Sequence, residues 1–387
     1  MRTVAILLVS LFLISSCNSG QNSPAVDERL KTELKSYIIK NYLTPEDYIL
    51  SKFKDHDIVF VGETHYIKHD PGLIQKLIPL LYQKGVFTLG TEFGRREDQP
   101  LIDSLLNSSA YDENLARLIT FNQFVLWGYK EYIDIYKAAW QLNQFLPQGK
   151  RKFRILGLND SPDWSFVKTQ EDKDNGDIKR KVWRGGGENL WAQTILDSVV
   201  AKGGKALIYS GIHHAFSEYK QPICDGAKFI RFEDRRMGNF VFQKIGKRAI
   251  TIFLNGPWYN ALGYDQPFVY PADGIIDEVM GEMEPKYQRV GFDTRSTPFG
   301  KLTGETSIYR QGYNNFTLEM FCDGYIFQKP FSKYEGVTPI KGFINESNLE
   351  KARTQTPDPS FRKAAVEDFY KELSKISDVQ KRLPQGK

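Results

Sequence analysis

Five short apolar runs constrain the fold of this chain more than any other feature: Asp57–Val61, Val86–Thr91, Phe153–Leu158, Lys205–Ser210 and Ala249–Leu254. They are rich in Val, Ile, Leu and Phe and lack clean period-two alternation, which predicts strands buried on both faces. Helical stripes lie between them. Leu73, Leu77, Leu80 and Leu81 form one, with Pro79 inside it. Tyr132, Ile135, Tyr136, Ala139 and Leu142 form a second, and Leu190, Ile195, Leu196 and Val199 a third. This alternation predicts an α/β fold: a mostly parallel central sheet flanked by helices in three layers, with right-handed crossovers. Two stretches break the rhythm and read as lid-like insertions: Ser161–Gly187, polar and ending in three consecutive glycines, and Pro257–Gly304, rich in Gly, Pro and aromatics. Phe316–Phe321 and Gly324–Gln328 predict late strands, and Arg362–Val379 a surface helix.

The first residues read as a targeting segment. Arg2 supplies a basic start, and Val4–Ile14 an apolar core too short for a lasting membrane span. Ile14-Ser15-Ser16-Cys17 is similar to a bacterial lipobox, in which cleavage precedes the cysteine and its thiol is acylated. The expected organisation is a lipoprotein signal peptide over 1–16, a lipidated tether over 17–30, one α/β domain over 31–350 and a C-terminal helical tail over 351–387. Export follows, with the chain held by its lipid to the cell envelope on the periplasmic or cell-surface face. Cys224 and Cys322 are the remaining cysteines. An oxidising compartment permits their pairing as a disulfide, and two buried thiols fit equally well. With 52 basic and 47 acidic residues the net charge is +5, and no basic run interleaved with aromatics forms a nucleic-acid surface, so nucleic acid is not an expected partner.

The chemistry-bearing residues gather where the apolar runs stop. In an open parallel sheet, ligands bind beyond the carboxyl ends of the strands. Glu63 and His65 follow the first run, Glu92 the second, Asn159 and Asp160 the third, His213 and His214 the fourth. The chain has five histidines, and four of them, all but His69, stand at the ends of the first and fourth runs. A carboxylate beside an imidazole fixes its tautomer and raises its basicity, as general-base catalysis requires, and the same groups suit a divalent metal. If strand alternation continues, Glu63 and His65 point one way, and His213 rather than His214 faces the rim. Glu63 as a helix cap, His69 and His56 as loop residues, and Asp160 as turn chemistry before Ser161-Pro162 are the plainer readings.

At these positions the chain resembles the erythromycin esterase-like proteins, within a wider set that includes the haem-binding lipoprotein ChaN and the Tiki and TraB proteases. Gly62-Glu63-Thr64-His65 is similar to the G-E-x-H motif. Thr91-Glu92 corresponds to the second-strand glutamate, and Arg154-Ile-Leu-Gly157-Leu-Asn-Asp160 to the R-x-x-G-x-D strand. Arg184 with Glu188-Asn189-Leu190-Trp191 resembles the R-x-x-M-x-E-N segment, without its methionine. Gly211-Ile-His213 lies where the esterases carry H-N-x-H, with Ser210 in place of the first histidine. The resemblance implies a water-activating hydrolase. His65 would be the general base, Glu63 or Glu92 its orienting carboxylate, His213 the stabiliser or proton donor for the oxyanion, and Arg184 a fixed cation. Asp160, Arg96, His214, Trp258 and Tyr259 would bind substrate.

Three functions are therefore expected in turn. The first is a membrane-anchored lipoprotein hydrolase cleaving an ester or related bond in a bulky organic small molecule, with no cofactor. The second is a haem- or iron-binding ChaN-like lipoprotein. The third is a Tiki/TraB-like metal-dependent peptidase, in which a divalent metal would be held by His65, Glu63 and His213. No His-Glu-x-x-His pattern accompanies the third.

Overall fold

The computed structural model describes residues 27–384. The signal peptide, Cys17 and most of the tether lie outside the described residues. Among the described residues there are nine strands: β1 Ile58–Glu63, β2 Thr88–Arg95, β3 Arg154–Asn159, β4 Ala206–Gly211, β5 Gln221–Asp225, β6 Lys228–Glu233, β7 Ala249–Leu254, β8 Val290–Asp293 and β9 Gly324–Phe327. Seven form one sheet in the order β3-β2-β4-β1-β7-β9-β8. It is parallel throughout except for the edge pair β8–β9. β5 and β6 form a separate antiparallel hairpin.

Both faces of the sheet are covered, which is why its strands read as unbroken apolar runs. In β1, Val59 and Val61 enter one core with the helices His69–Gln83 and Lys130–Phe145. Ile58 and Phe60 enter the other, with Trp191, Ile195, Met237 and Val241. The predicted three-layer α/β arrangement is the one observed. Among the described residues no helix is long and apolar enough to cross a membrane.

Several boundaries differ from the sequence reading. β2 runs on to Arg95, with a register irregularity against β3 between Thr91 and Arg95, so Glu92 sits inside the strand. Pro79 lies within the continuous His69–Gln83 helix. Phe316–Phe321 is not a strand. Leu318–Phe321 makes one helical turn that buries Leu318 and Phe321 among aromatics. Ser161–Gly187 holds short turns and the helix Gly176–Trp183. The expected tail is not separate from the domain, because Phe369 and Leu373 of the Val366–Ile376 helix enter the first core. The tether reading also ends early. Glu28–Asn41 is a helix, and Leu34 and Ile38 bury in the second core. Cys224 and Cys322 are both free thiols, the first half-buried on the hairpin and the second buried beside the main sheet.

Candidate active site

β4 lies between β1 and β2 and sets the spacing of the site. Glu63 pairs in register with Gly211, and Gly62 with Ser210. Beyond Gly211 the chain turns directly into the short helix Ile212–Ala215. A Cβ on Gly62 would stand 2.5 Å from Ile212 Cδ1, and one on Gly211 would stand 2.7 Å from His65 Cε1. These two glycines let the helix and the imidazole share the end of the sheet.

Glu63 is buried and holds three donors. The Tyr132 hydroxyl donates to Oε1 at 2.5 Å, the Tyr209 hydroxyl donates to Oε2, and His65 Nδ1–H donates to Oε1 at 2.8 Å. Tyr132 is itself fixed by the Tyr66 N–H, donated by a residue with φ of 77° that turns the chain out of β1. The other ring nitrogen of His65, Nε2, lies 3.3 Å from Glu92 Oε1. Glu92 Oε2 accepts the Gly211 N–H at 3.1 Å and lies 3.5 Å from His214 Nε2. His214 Nδ1 lies 3.0 Å from Glu188 Oε2, out of line for a hydrogen bond. Glu188 accepts from Arg236 Nη1 and the Met237 N–H, both at 2.8 Å. Arg236 also donates to Gln221. Acid and base thus alternate along one row: Glu63, His65, Glu92, His214, Glu188, Arg236.

The row sets its own protonation. Burial alone would lower the pKa of His65, but the charges of Glu92 and Glu63 outweigh it and raise the value. Burial also opposes the charged form of His214, and Glu188 and Glu92 outweigh it there. Burial would raise Glu188, yet His214 and Arg236 bring it down to about 2. Both imidazoles are therefore proton holders flanked by carboxylates. Trp127, 5.1 Å from the His65 ring, and Phe93 form an apolar wall beside them. The stabilisation from the two raised histidines is complete below their unfolded pKa of 6.5 and is lost as pH rises through the folded values. That from Glu188 is present above 4.5 and lost as pH falls toward about 2. The thermal midpoint is expected to fall as pH rises above 6.5, more gently in Glu188→Gln, because His214 then loses the carboxylate that most favours its charged form. Parallel slopes for the two proteins would contradict the coupling.

Some expected residues lie elsewhere. His213 is not at the rim: its Nε2 lies 2.8 Å from the Tyr309 hydroxyl. Burial and the charges of Arg236, His214 and His65 push its pKa well down. Alternation failed as a guide because Gly211 ends the strand and successive helical side chains are about 100° apart, so His214 turns to Glu92 instead. The conditional metal set of His65, Glu63 and His213 is broken by the same turn. Among the described residues, no group of three or more His, Cys, Asp or Glu has metal-holding geometry. Arg184 is exposed and pairs with Asp163 at 2.7 Å, away from the row. Trp258 is 1% exposed and belongs to the aromatic core, not to a substrate surface. Tyr259 is half-buried against Tyr264 and Phe268. Ser210 is wholly buried and bonds only the neighbouring Gly211 carbonyl. Asp160 accepts from Arg96 at 2.6 Å and from Trp191 Nε1 at 3.0 Å, at the edge of a cleft that His214 also lines. His69 packs on Tyr334, and burial lowers its pKa to about 3. His56 bonds the Lys247 carbonyl at the surface.

Four members of the site had no role in the sequence reading. Tyr132 belonged to a core stripe, Tyr209 to a strand, and Glu188 to a motif without a function. Arg236 carries no local signal of its own.

Residues 49–159 match the family model described as haem-binding uptake, Tiki superfamily, ChaN. The match contains Glu63, His65 and Glu92 and supports the superfamily indicated by the sequence motifs. No curated protein sequence matches the chain. Among solved structures, a succinoglycan biosynthesis protein is similar with a TM-score of 0.52 at 13% identity, over 82% of this chain and 100% of that one. A protein from Bacillus cereus gives 0.47 at 14% identity, over 80% and 99%. An erythromycin esterase mutant in its open conformation gives 0.43 at 10% identity, over 72% and 91%. At these identities the likeness concerns the fold, and the first of the three carries it.

Proposed function

We propose that the chain is an erythromycin esterase-like hydrolase that activates water and cleaves an ester or related bond in a bulky organic molecule. The observation that carries this reading is the clamping of His65 between two carboxylates, Glu63 on Nδ1 and Glu92 beside Nε2. Glu63, saturated by Tyr132 and Tyr209, holds the Nδ1–H tautomer, so Nε2 is the nitrogen left to exchange a proton with water. In its neutral form His65 takes a proton from water, and Glu92 stabilises the imidazolium that results. His214, charged and linked to the same carboxylate, donates to the departing oxygen. It takes the part expected of His213, and Arg236 takes that expected of Arg184, by fixing Glu188.

The tyrosine hydroxyls of the site, on Tyr132 and Tyr209, are both directed to Glu63 and do not fit ligation of haem iron.

The test is a pH profile of kcat/KM on a series of chromogenic esters. The rate is expected to rise with pH through the raised His65 value, with a midpoint above 6.5, and to fall again at higher pH as His214 loses its proton. In Glu92→Gln that midpoint is expected to move down, since Glu92 is the strongest charge holding it up. Folded protein that hydrolyses none of the esters, or a midpoint that ignores Glu92, would overturn the assignment.

We also propose lipid attachment at Cys17. Cys17→Ser is expected to move the protein from the membrane to the soluble fraction; retention in the membrane would reject it.

A further inference from the structure

A cleft of about 690 Å³ opens beside the end of the row, between the Gly176–Trp183 helix, the glycine run Gly185–Gly187 and the end of the β5–β6 hairpin. Its lining includes His214, Glu188 and Arg236, so a molecule seated in it reaches the proton-transfer groups. The acids lining it are already engaged. Asp160 is held by Arg96, Glu188 by Arg236, and Glu233 by Arg231 at 3.0 Å and by the Arg235 N–H at 3.1 Å. The other cations lining it are not matched in the same way. Arg235 lies over the Phe240 ring and makes no ion pair among the described residues. Among the described residues, Arg180 pairs with Asp177 and Lys179 with Asp174, both exposed and outside the lining. Exposed pairs of this kind contribute little and yield readily to a better partner. Trp183, 38% exposed, and the largely buried Trp191 add apolar surface to the lining.

We propose that this cleft takes the negatively charged arm of the substrate, so that the molecule cleaved is an acidic ester with a flat apolar body and a carboxylate or phosphate. The inference rests on the hydrolase reading for the cleavage step, but the anion site itself does not. The geometry assigns Arg180 and Arg235 to the anion and Trp183 to the apolar body. Tight packing shapes the inner wall, since a Cβ on Gly186 would stand 2.7 Å from the Asp160 carboxyl.

The experiment is a calorimetric titration of the full chain with 2-naphthoate and, separately, with uncharged 2-naphthol. Naphthoate is expected to bind about tenfold more tightly at low salt, with the advantage shrinking as ionic strength rises. Arg180→Gln/Arg235→Gln, both at exposed positions, should abolish the advantage and leave naphthol binding as it was. Trp183→Ala should weaken both ligands. Equal affinities in the parent protein, or an advantage that survives the double substitution, would overturn the proposal. Binding is read without turnover, so a chain that binds naphthoate selectively but cleaves no ester would refute the hydrolase and keep the anion site. Ester cleavage with no preference for the anion would do the reverse. Comparing naphthoate with naphthyl phosphate separates the two kinds of anionic arm.

Discussion

His65→Ala is expected to lower kcat on an ester substrate by about 10²–10⁴-fold, the range that positioned general acid–base groups contribute. The loss should fall on kcat more than on KM, because the imidazole acts on water and lies beside the cleft instead of lining it. The fold should persist. The His65 side chain is about one-third exposed, and its removal leaves Glu63 with the Tyr132 and Tyr209 hydroxyls. Far-ultraviolet circular dichroism and a melting curve on the same preparation separate loss of chemistry from loss of structure. Gly211→Ala gives a subtler test. Its new methyl would displace the imidazole without removing any titratable group, and should reduce kcat while leaving both carboxylates in place. A His65→Ala protein with parental kcat would move the chemistry elsewhere.

The second large effect concerns Asp70, in the first turn of the His69–Gln83 helix. Its carboxyl is wholly buried, with Oδ1 accepting from Gln328 at 3.0 Å and Oδ2 without a partner. Burial, with the Glu63 charge added, pushes its pKa well above 3.8. An acid raised in the fold costs stability as pH climbs from its unfolded to its folded value, at about 1.4 kcal/mol for each pH unit between them. Asparagine keeps the shape and does not ionise. Asp70→Asn is therefore expected to be more stable than the parent at neutral pH, with the gain vanishing as pH falls toward 4. Denaturant midpoints at several pH values measure it. A pH-independent difference would show that the carboxyl is not held in its neutral form.

The fold was more legible in the sequence than the site. The strands buried on both faces announced themselves as apolar runs, because a two-sided burial requirement leaves little room for polar residues. Glu63, His65 and Glu92 were legible for a related reason, as polar groups placed where such runs end. Strand alternation favours His213 over His214 and is wrong here, since which one faces the rim depends on whether the strand continues past Gly211 or gives way to a helix. Arg184 and Arg236 show the limit of reasoning from charge alone. One meets Asp163 at the surface and the other locks Glu188, and only tertiary contacts distinguish them. Phe316–Phe321 misled for the opposite reason, because aromatic packing alone can bury an apolar run without strand pairing.

The placement of β4 bears on what can be cut from this protein and still work. The stretch 49–159 contains Glu63, His65 and Glu92, yet β1 and β2 are not neighbours in the sheet. β4, made some fifty residues later, lies between them and brings both the backbone N–H that holds Glu92 and the glycine that admits His65. During synthesis the three residues emerge early, while the strand that joins them follows long after. The matched stretch is therefore not a portable module: transplanted alone, it would carry the reactive groups without the strip of backbone that makes them a site.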